Sequence, residues 1–198
     1  MGSTGALKFL TDFFDQAVVL PLVLAVAVVL AVQGWWRGAL AWLGTIGAAF
    51  AVMLALKLFF LGCAARFGSA GLHSPSGHVA AASLVCGGLA AIYGGSCRTV
   101  AIVSSLAAGL IAITRLGLEV HSWPEVLLGT AIGLAGALAM ARAAGPPPPL
   151  RLRPMVLTAT FILALLHGRH LEAEIAIRQA VFGAEWLPAW CRTGTNQP

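Results

Sequence analysis

The chain has 198 residues, of which 59% are hydrophobic and only 10% are charged. An average soluble domain carries about 25% charged residues, so this chain could not cover its surface with polar groups in water. The net charge of +5 does not indicate nucleic-acid binding, because the basic residues lie scattered between apolar blocks and form no basic run. We therefore expect an all-α protein surrounded by membrane lipids, with no nucleic-acid partner.

Apolar blocks of the length that a bilayer requires recur along the chain. A helix needs roughly 20 apolar residues to cross a hydrocarbon core about 30 Å thick. Five blocks meet or approach that length and a shorter sixth follows them: residues 17–32, 39–61, 76–95, 99–113, 123–141 and 155–166. The first block lacks a clear small-residue cleavage site, so we expect it to be retained. The pattern predicts a polytopic membrane helix bundle with about six transmembrane helices.

Composition divides the chain into three predicted parts. They are a membrane core of about five transmembrane helices over residues 1–142, a Pro-rich loop over residues 143–153, and a sixth apolar segment followed by an interfacial amphipathic helix over residues 154–198. The four prolines at 146–149 end any helix that reaches them. Within the core, Gly129 and Gly133 form a small-xxx-small pair, which predicts close packing against a neighbouring helix.

The basic residues of the loops predict the orientation of the bundle. Those between odd-numbered and even-numbered spans are Arg37, Arg98, Arg142, Arg151 and Arg153. Because positively charged loops stay in the cytoplasm, the loops after the second and fourth spans should face outward. We expect a multi-pass protein of a bacterial cytoplasmic (inner) membrane, with its active site on the outer face.

Polar side chains crowd into these two outward regions. The candidate site residues there are Lys57, Arg66, Ser76, Gly77 and His78 around the first region, and Arg115, His121 and Glu125 around the second. Ionisable groups at membrane depth are costly and are candidates for function. Their segregation to one side predicts an active site at the helix ends on one face of the bundle.

The residue types of these two regions suit a phosphate group. Ser76 and Gly77 open the third span, where free backbone N–H groups and the positive end of the helix dipole favour an anion. Gly77 lets the backbone approach a ligand without a side chain in the way. Lys57, Arg66 and Arg115 would supply positive charge and donors for phosphate oxygens.

Two histidines and a carboxylate could perform the chemistry. His78 and His121 can divide the work of acid and nucleophile. Glu125, four residues after His121, can fix its tautomer and stabilise the imidazolium. Glu125 also fits a capping box with Ser122, which is a purely structural alternative. Since no D-x-D or H-E-x-x-H motif occurs, we expect neither a metal nor any other cofactor.

These motifs resemble those of a known family. Residues 75–78, Pro-Ser-Gly-His, match the central motif of the type 2 phosphatidic acid phosphatases, a superfamily that includes the lipid phosphate phosphatases and the vanadium haloperoxidases. Arg115-x5-His121-x3-Glu125 resembles the family's third motif, S-R-x5-H-x3-D, with Glu125 in place of Asp. The order of the motifs and their placement at helix ends also match, so the chain resembles the membrane-bound branch over roughly residues 17–142.

The resemblance implies a role for each site residue. His121 would be the nucleophile that forms a phosphohistidine, His78 would protonate the leaving group, and Glu125 would orient His121. The phosphate-binding residues would be Lys57, Arg66, Ser76, Gly77 and Arg115. The implied activity is metal-independent hydrolysis of a phosphate monoester or pyrophosphate on a phosphorylated lipid substrate. The oligomeric state stays open.

An alternative function is a non-catalytic membrane protein of the same fold that binds phosphorylated lipid. Two departures from the family pattern favour it. Lys57 and Arg66 have eight residues between them where the first family motif, K-x6-R-P, has six, and Glu125 replaces Asp. Such a protein would bind phosphate or vanadate but would release no phosphate from a substrate.

Overall fold

Seven helices account for most of the computed structural model, which describes residues 3–63, 67, 70–171, 175–177 and 179. They are α1 (Ser3–Asp12), α2 (Gln16–Val32), α3 (Trp36–Gly62), α4 (Gly77–Ile92), α5 (Cys97–Gly117), α6 (Trp123–Ala144) and α7 (Leu152–Leu166). No strand occurs among the described residues. The predicted all-α class is confirmed.

The helices have the length and the apolar outer surface of a membrane bundle. Four segments are long and apolar enough to cross a bilayer: Thr4–Val32, which joins α1 to α2, and then Trp36–Gly62, Cys97–Gly117 and Trp123–Ala144. The helices α4 and α7 are apolar but shorter, with 16 and 15 residues. Large apolar side chains such as Leu24, Leu106, Leu127 and Phe161 are exposed on the outside of the bundle. The protein is therefore a multi-pass membrane protein.

The short helix α4 lies at the centre of the bundle and packs mainly against α5 and α6. A Cβ atom added to Gly129 would lie 2.5 Å from the backbone oxygen of Ser76. One added to Gly133 would lie 2.6 Å from the backbone oxygen of Ala80. The close packing predicted from this glycine pair is confirmed, because a side chain at either position would collide with the backbone of Ser76 or Ala80.

Two structural features were absent from the sequence-based expectations. The helix α1 precedes the first predicted span and packs against α5. Cys63, the residue that follows α3, is disulfide-bonded. The amphipathic helix predicted after Leu171 falls almost entirely outside the described residues, so it stays a prediction.

Candidate active site

A cavity of about 600 Å³ lies at one end of the bundle. The turn before α2, the end of α3, the loop before α4 and the α5–α6 loop all contribute to it. Its walls contain Phe14, Asp15, Gln16, Lys57, Gly71, His73, Ser74, Gly77, His78, Arg115, Glu119, Val120, His121, Ser122, Glu125, Leu171 and Ile177.

The cavity brings together six of the eight residues that the sequence singled out. They are Lys57, Gly77, His78, Arg115, His121 and Glu125. Ser76 is fully buried and lies between two wall residues rather than on the wall. Arg66 falls outside the described residues, so its role in phosphate binding stays a prediction.

The carboxylate of Glu125 makes hydrogen bonds to both of the predicted outward regions. Its Oε1 accepts hydrogen bonds from the backbone N–H groups of His73, at 2.8 Å, and Ser74, at 2.7 Å. Its Oε2 accepts one from the N–H of Ser122 at 3.1 Å and lies 2.9 Å from Nδ1 of His121. Glu125 is only 5% exposed. The capping and orienting roles that the sequence left as alternatives are thus compatible, since one side chain makes both sets of contacts.

The contact with Glu125 decides which nitrogen of His121 can react. The carboxylate accepts a hydrogen bond from Nδ1–H, so the neutral ring carries its lone pair on Nε2. Burial lowers the pKa of His121 below its usual value, and the positive charges of Arg115 and Lys57 act in the same direction. The hydrogen bond to Glu125 opposes this effect only in part. A neutral imidazole with a free Nε2 is the form that a nucleophile needs.

Two cationic side chains, those of Lys57 and Arg115, line the same cavity. The ammonium of Lys57 donates a hydrogen bond of 2.8 Å to the hydroxyl of Ser74, and Lys57 is only 8% exposed. Nη1 of Arg115 lies 3.4 Å from the hydroxyl of Thr11 in α1. Lys57 is buried and Arg115 is half-buried, so water screens their attraction for an anion less than it would at the surface.

The start of α4 presents further donors. The N–H of Ser76 donates to the backbone oxygen of Glu125 at 3.1 Å, which fixes the entry to the helix. The hydroxyl of Ser76 makes no hydrogen bond within the described residues and does not cap α4. A Cβ atom on Gly77 would come no closer than 3.9 Å to Lys57, so the glycine leaves open space there.

The sequence interpretation missed one carboxylate of this cavity. Asp15, in the turn between α1 and α2, is 6% exposed, and its Oδ2 lies 3.6 Å from Nε2 of His78. Asp15 precedes the first apolar block and belongs to neither of the two outward regions, so no motif pointed to it. An acidic residue at the very start of such a block is the signal that could have found it.

Among the described residues, the cavity contains no cluster of potential metal ligands. Within the described ranges, no three His, Cys, Asp or Glu side chains come close enough together to hold a metal ion. The imidazoles of His78 and His121 each lie beside a carboxylate instead.

The cavity, its two imidazoles and its helix-end cations can be compared with known families. Residues 62–146 match the PAP2 superfamily. The PAP2 match spans α4, α5 and α6 with the loops between them, so it contains both motifs on which the resemblance rests and confirms that resemblance. It indicates an activity of the phosphatase type. No curated protein and no solved structure is a significant match to the chain.

Proposed function

We propose that the protein is an integral-membrane lipid phosphatase that hydrolyses a phosphate monoester or pyrophosphate through a phosphohistidine, without a metal. The observation that carries the proposal is the pair formed by His121 and Glu125, 2.9 Å apart, on a cavity that also contains Lys57 and Arg115. An oriented neutral imidazole beside two cations in one cavity is what attack on a phosphorylated group requires. The PAP2 match supports the same reaction class.

The first half-reaction transfers the phosphoryl group to the protein. Nε2 of His121 attacks phosphorus and forms a P–N bond while the bond from phosphorus to the leaving oxygen breaks. His78 gives its proton to that oxygen, and the product leaves as the alcohol, or as the lipid monophosphate when the substrate is a lipid pyrophosphate. Glu125 stabilises the positive charge that develops on the ring of His121.

The second half-reaction regenerates the site. A water molecule attacks the phosphohistidine, the P–N bond breaks, and inorganic phosphate is released. His78, neutral after the first step, accepts the proton of the attacking water and so returns to its starting form.

The phosphate oxygens would be held by groups from three helices. Lys57 and Arg115 supply positive charge, and Arg66 is proposed as a third cation. The N–H of Gly77 lies in the first turn of α4, where backbone donors have no partner within their helix. The hydroxyl of Ser76 has no hydrogen-bond partner within the described residues, and we assign it to a phosphate oxygen.

Two observations support a lipid substrate that reaches the site from the outer face of a bacterial inner membrane. The cavity lies at the end of a bundle with an apolar outer surface, where a lipid headgroup can enter from the bilayer. The disulfide of Cys63 follows α3 at the same end, and such bonds persist in oxidising compartments outside the cytoplasm. The arginines near the opposite end agree with this orientation.

The deciding experiment is phosphate release from a panel of lipid phosphates and pyrophosphates by the purified full chain in detergent. We expect metal-independent turnover that survives EDTA and that His121→Ala abolishes. Vanadate should inhibit, because it mimics five-coordinate phosphorus. A protein that binds vanadate but releases no phosphate from any member of the panel would establish the non-catalytic alternative instead.

A further inference from the structure

Asp15 makes contacts on both oxygens of its carboxylate. Its Oδ1 accepts hydrogen bonds from the backbone N–H groups of Ala17, at 2.8 Å, and Leu171, at 3.1 Å. Its Oδ2 lies 3.6 Å from Nε2 of His78 and 3.4 Å from Nδ1 of His170. The first oxygen is thus occupied by the backbone, and the second faces two imidazoles.

The interaction between Asp15 and His78 is strong because both side chains are largely removed from water. The side chain of Asp15 is 8% exposed and that of His78 is 24% exposed, so water screens their interaction poorly. His170, the other imidazole, is 58% exposed and therefore remains well solvated. The carboxylate accordingly acts mainly on the ring of His78.

We propose that Asp15 is a positioning residue whose negative charge favours the protonated form of His78 and aligns the ring for the departure of an alkoxide. The inference rests on the proposed function. It assigns a role to a residue that lies outside the region of the PAP2 match.

The separation of 3.6 Å explains how the proton remains transferable. At this distance the carboxylate stabilises the charged ring without a short hydrogen bond that would hold the proton tightly. When the leaving oxygen takes that proton, His78 becomes neutral and the ion pair is lost. When His78 later accepts a proton from water, the pair forms again.

Other charges around His78 oppose Asp15. Burial of the ring is the largest effect that disfavours its charged form, and Arg115 from α5 and Lys57 from α3 also disfavour a further positive charge in the cavity. On the side of α6, His121 and Glu125 are engaged with each other. Without Asp15, the ring of His78 would face two cations and would lose its proton at a lower pH.

A leaving-group comparison distinguishes this role from a structural one. An alkoxide departs with difficulty unless it is protonated, whereas p-nitrophenolate departs without help. We therefore expect Asp15→Asn to slow hydrolysis of dodecyl phosphate by about tenfold or more, since an opposite charge at this distance changes proton affinity by about 1–3 pK units. Hydrolysis of p-nitrophenyl phosphate should change little, and the basic limb of the pH profile should move to lower pH.

The choice of variants guards against a folding defect. Oδ1 of Asp15 caps α2, and Asn also serves well as an N-cap, so Asp15→Asn should keep its melting temperature. Asp12→Asn is the matched control, because Asp12 is a carboxylate of the same turn that lies 3.9 Å from His170 and is absent from the cavity wall. His78→Ala should reproduce the leaving-group dependence of Asp15→Asn.

Two results would overturn the proposal. One is an equal loss on both substrates with an unchanged pH profile, which would indicate a purely structural role. The other is wild-type behaviour of Asp15→Asn on dodecyl phosphate. Titration of His78, followed by NMR of protein labelled with ¹⁵N-histidine, provides a readout independent of turnover. If the wild type hydrolysed neither substrate, the proposed function would fail, and an unchanged His78 midpoint in Asp15→Asn would separately refute the pairing.

Discussion

Oε2 of Glu125 lies 2.9 Å from Nδ1 of His121, while the other oxygen of the same carboxylate accepts the N–H groups of His73 and Ser74. A single buried side chain therefore orients the proposed nucleophile and also holds the loop before α4 by hydrogen bonds. Glu is one methylene longer than the Asp of the family motif, and this extra length lets one side chain contact both His121 and the loop before α4.

Replacing Glu125 with Gln should damage both tasks. An amide has one acceptor oxygen, so its NH₂ group would face either the two loop N–H groups or the N–H of Ser122 and Nδ1 of His121. The second arrangement forces the proton of His121 onto Nε2 and blocks attack. We expect turnover to fall by roughly 10³-fold or more, as when an orienting carboxylate is lost. We also expect a loss of about 1–3 kcal/mol for each buried donor left unsatisfied. Phosphate release and thermal melting measure the two effects.

Glu125→Asp tests the importance of reach, because the charge is kept and only a methylene is removed. The shorter side chain can contact His121 or the loop before α4, but not both. Turnover should therefore fall between that of the wild type and that of the Gln variant. Full activity together with an unchanged melting temperature would contradict the double role.

The pH dependence should reflect the low pKa of His121. The nucleophile must be neutral, so activity rises with pH as His121 loses its proton. Because burial and the nearby cations lower this pKa, the acid limb of kcat/KM should lie below about pH 6.5. Lys57→Met removes one of these positive charges and should move the acid limb to higher pH. An acid limb that stays in place in this variant would show that Lys57 does not act on His121.

The close contact between α4 and α6 should make Gly129 intolerant of a side chain. In Gly129→Ala the new methyl group would meet the backbone oxygen of Ser76, which cannot rotate away. We expect a destabilisation of about 1–3 kcal/mol, typical of overpacking, together with reduced turnover. Gly109→Ala is the matched control, since nothing lies within 4 Å of its added Cβ. Melting temperatures that fall equally in both variants would contradict the packing argument.

The orientation in the membrane can be tested with a native thiol. Cys97 is a free, exposed cysteine that begins α5 at the end of the bundle opposite the cavity. It should resist a membrane-impermeant thiol reagent in intact cells and react once the membrane is opened. A cysteine introduced by Ala70→Cys, at an exposed position near the cavity, should react in intact cells. The reverse pattern would place the cavity on the cytoplasmic face.

Hydropathy predicted the helices of the bundle well because each buries or exposes a long apolar surface. The predicted blocks correspond to α2 to α7, and motif spacing identified most of the polar wall of the cavity. The helix α1 escaped prediction, since its ten residues mix polar and apolar types without a long apolar run. The pairing of Asp15 with His78 joins segments far apart in the chain. Only the folded backbone brings them together, so no local pattern encodes it.

The contact of Gly129 with Ser76 has a consequence for the range of molecules that the cavity can accept. One wall rests on two helices whose main chains touch, and interiors packed so densely yield little to an incoming group. Widening the cavity on that side would require α4 and α6 to separate. Room for a bulkier substrate must therefore come from wall residues outside that helix pair, such as Phe14 and Leu171, which lie in segments between helices.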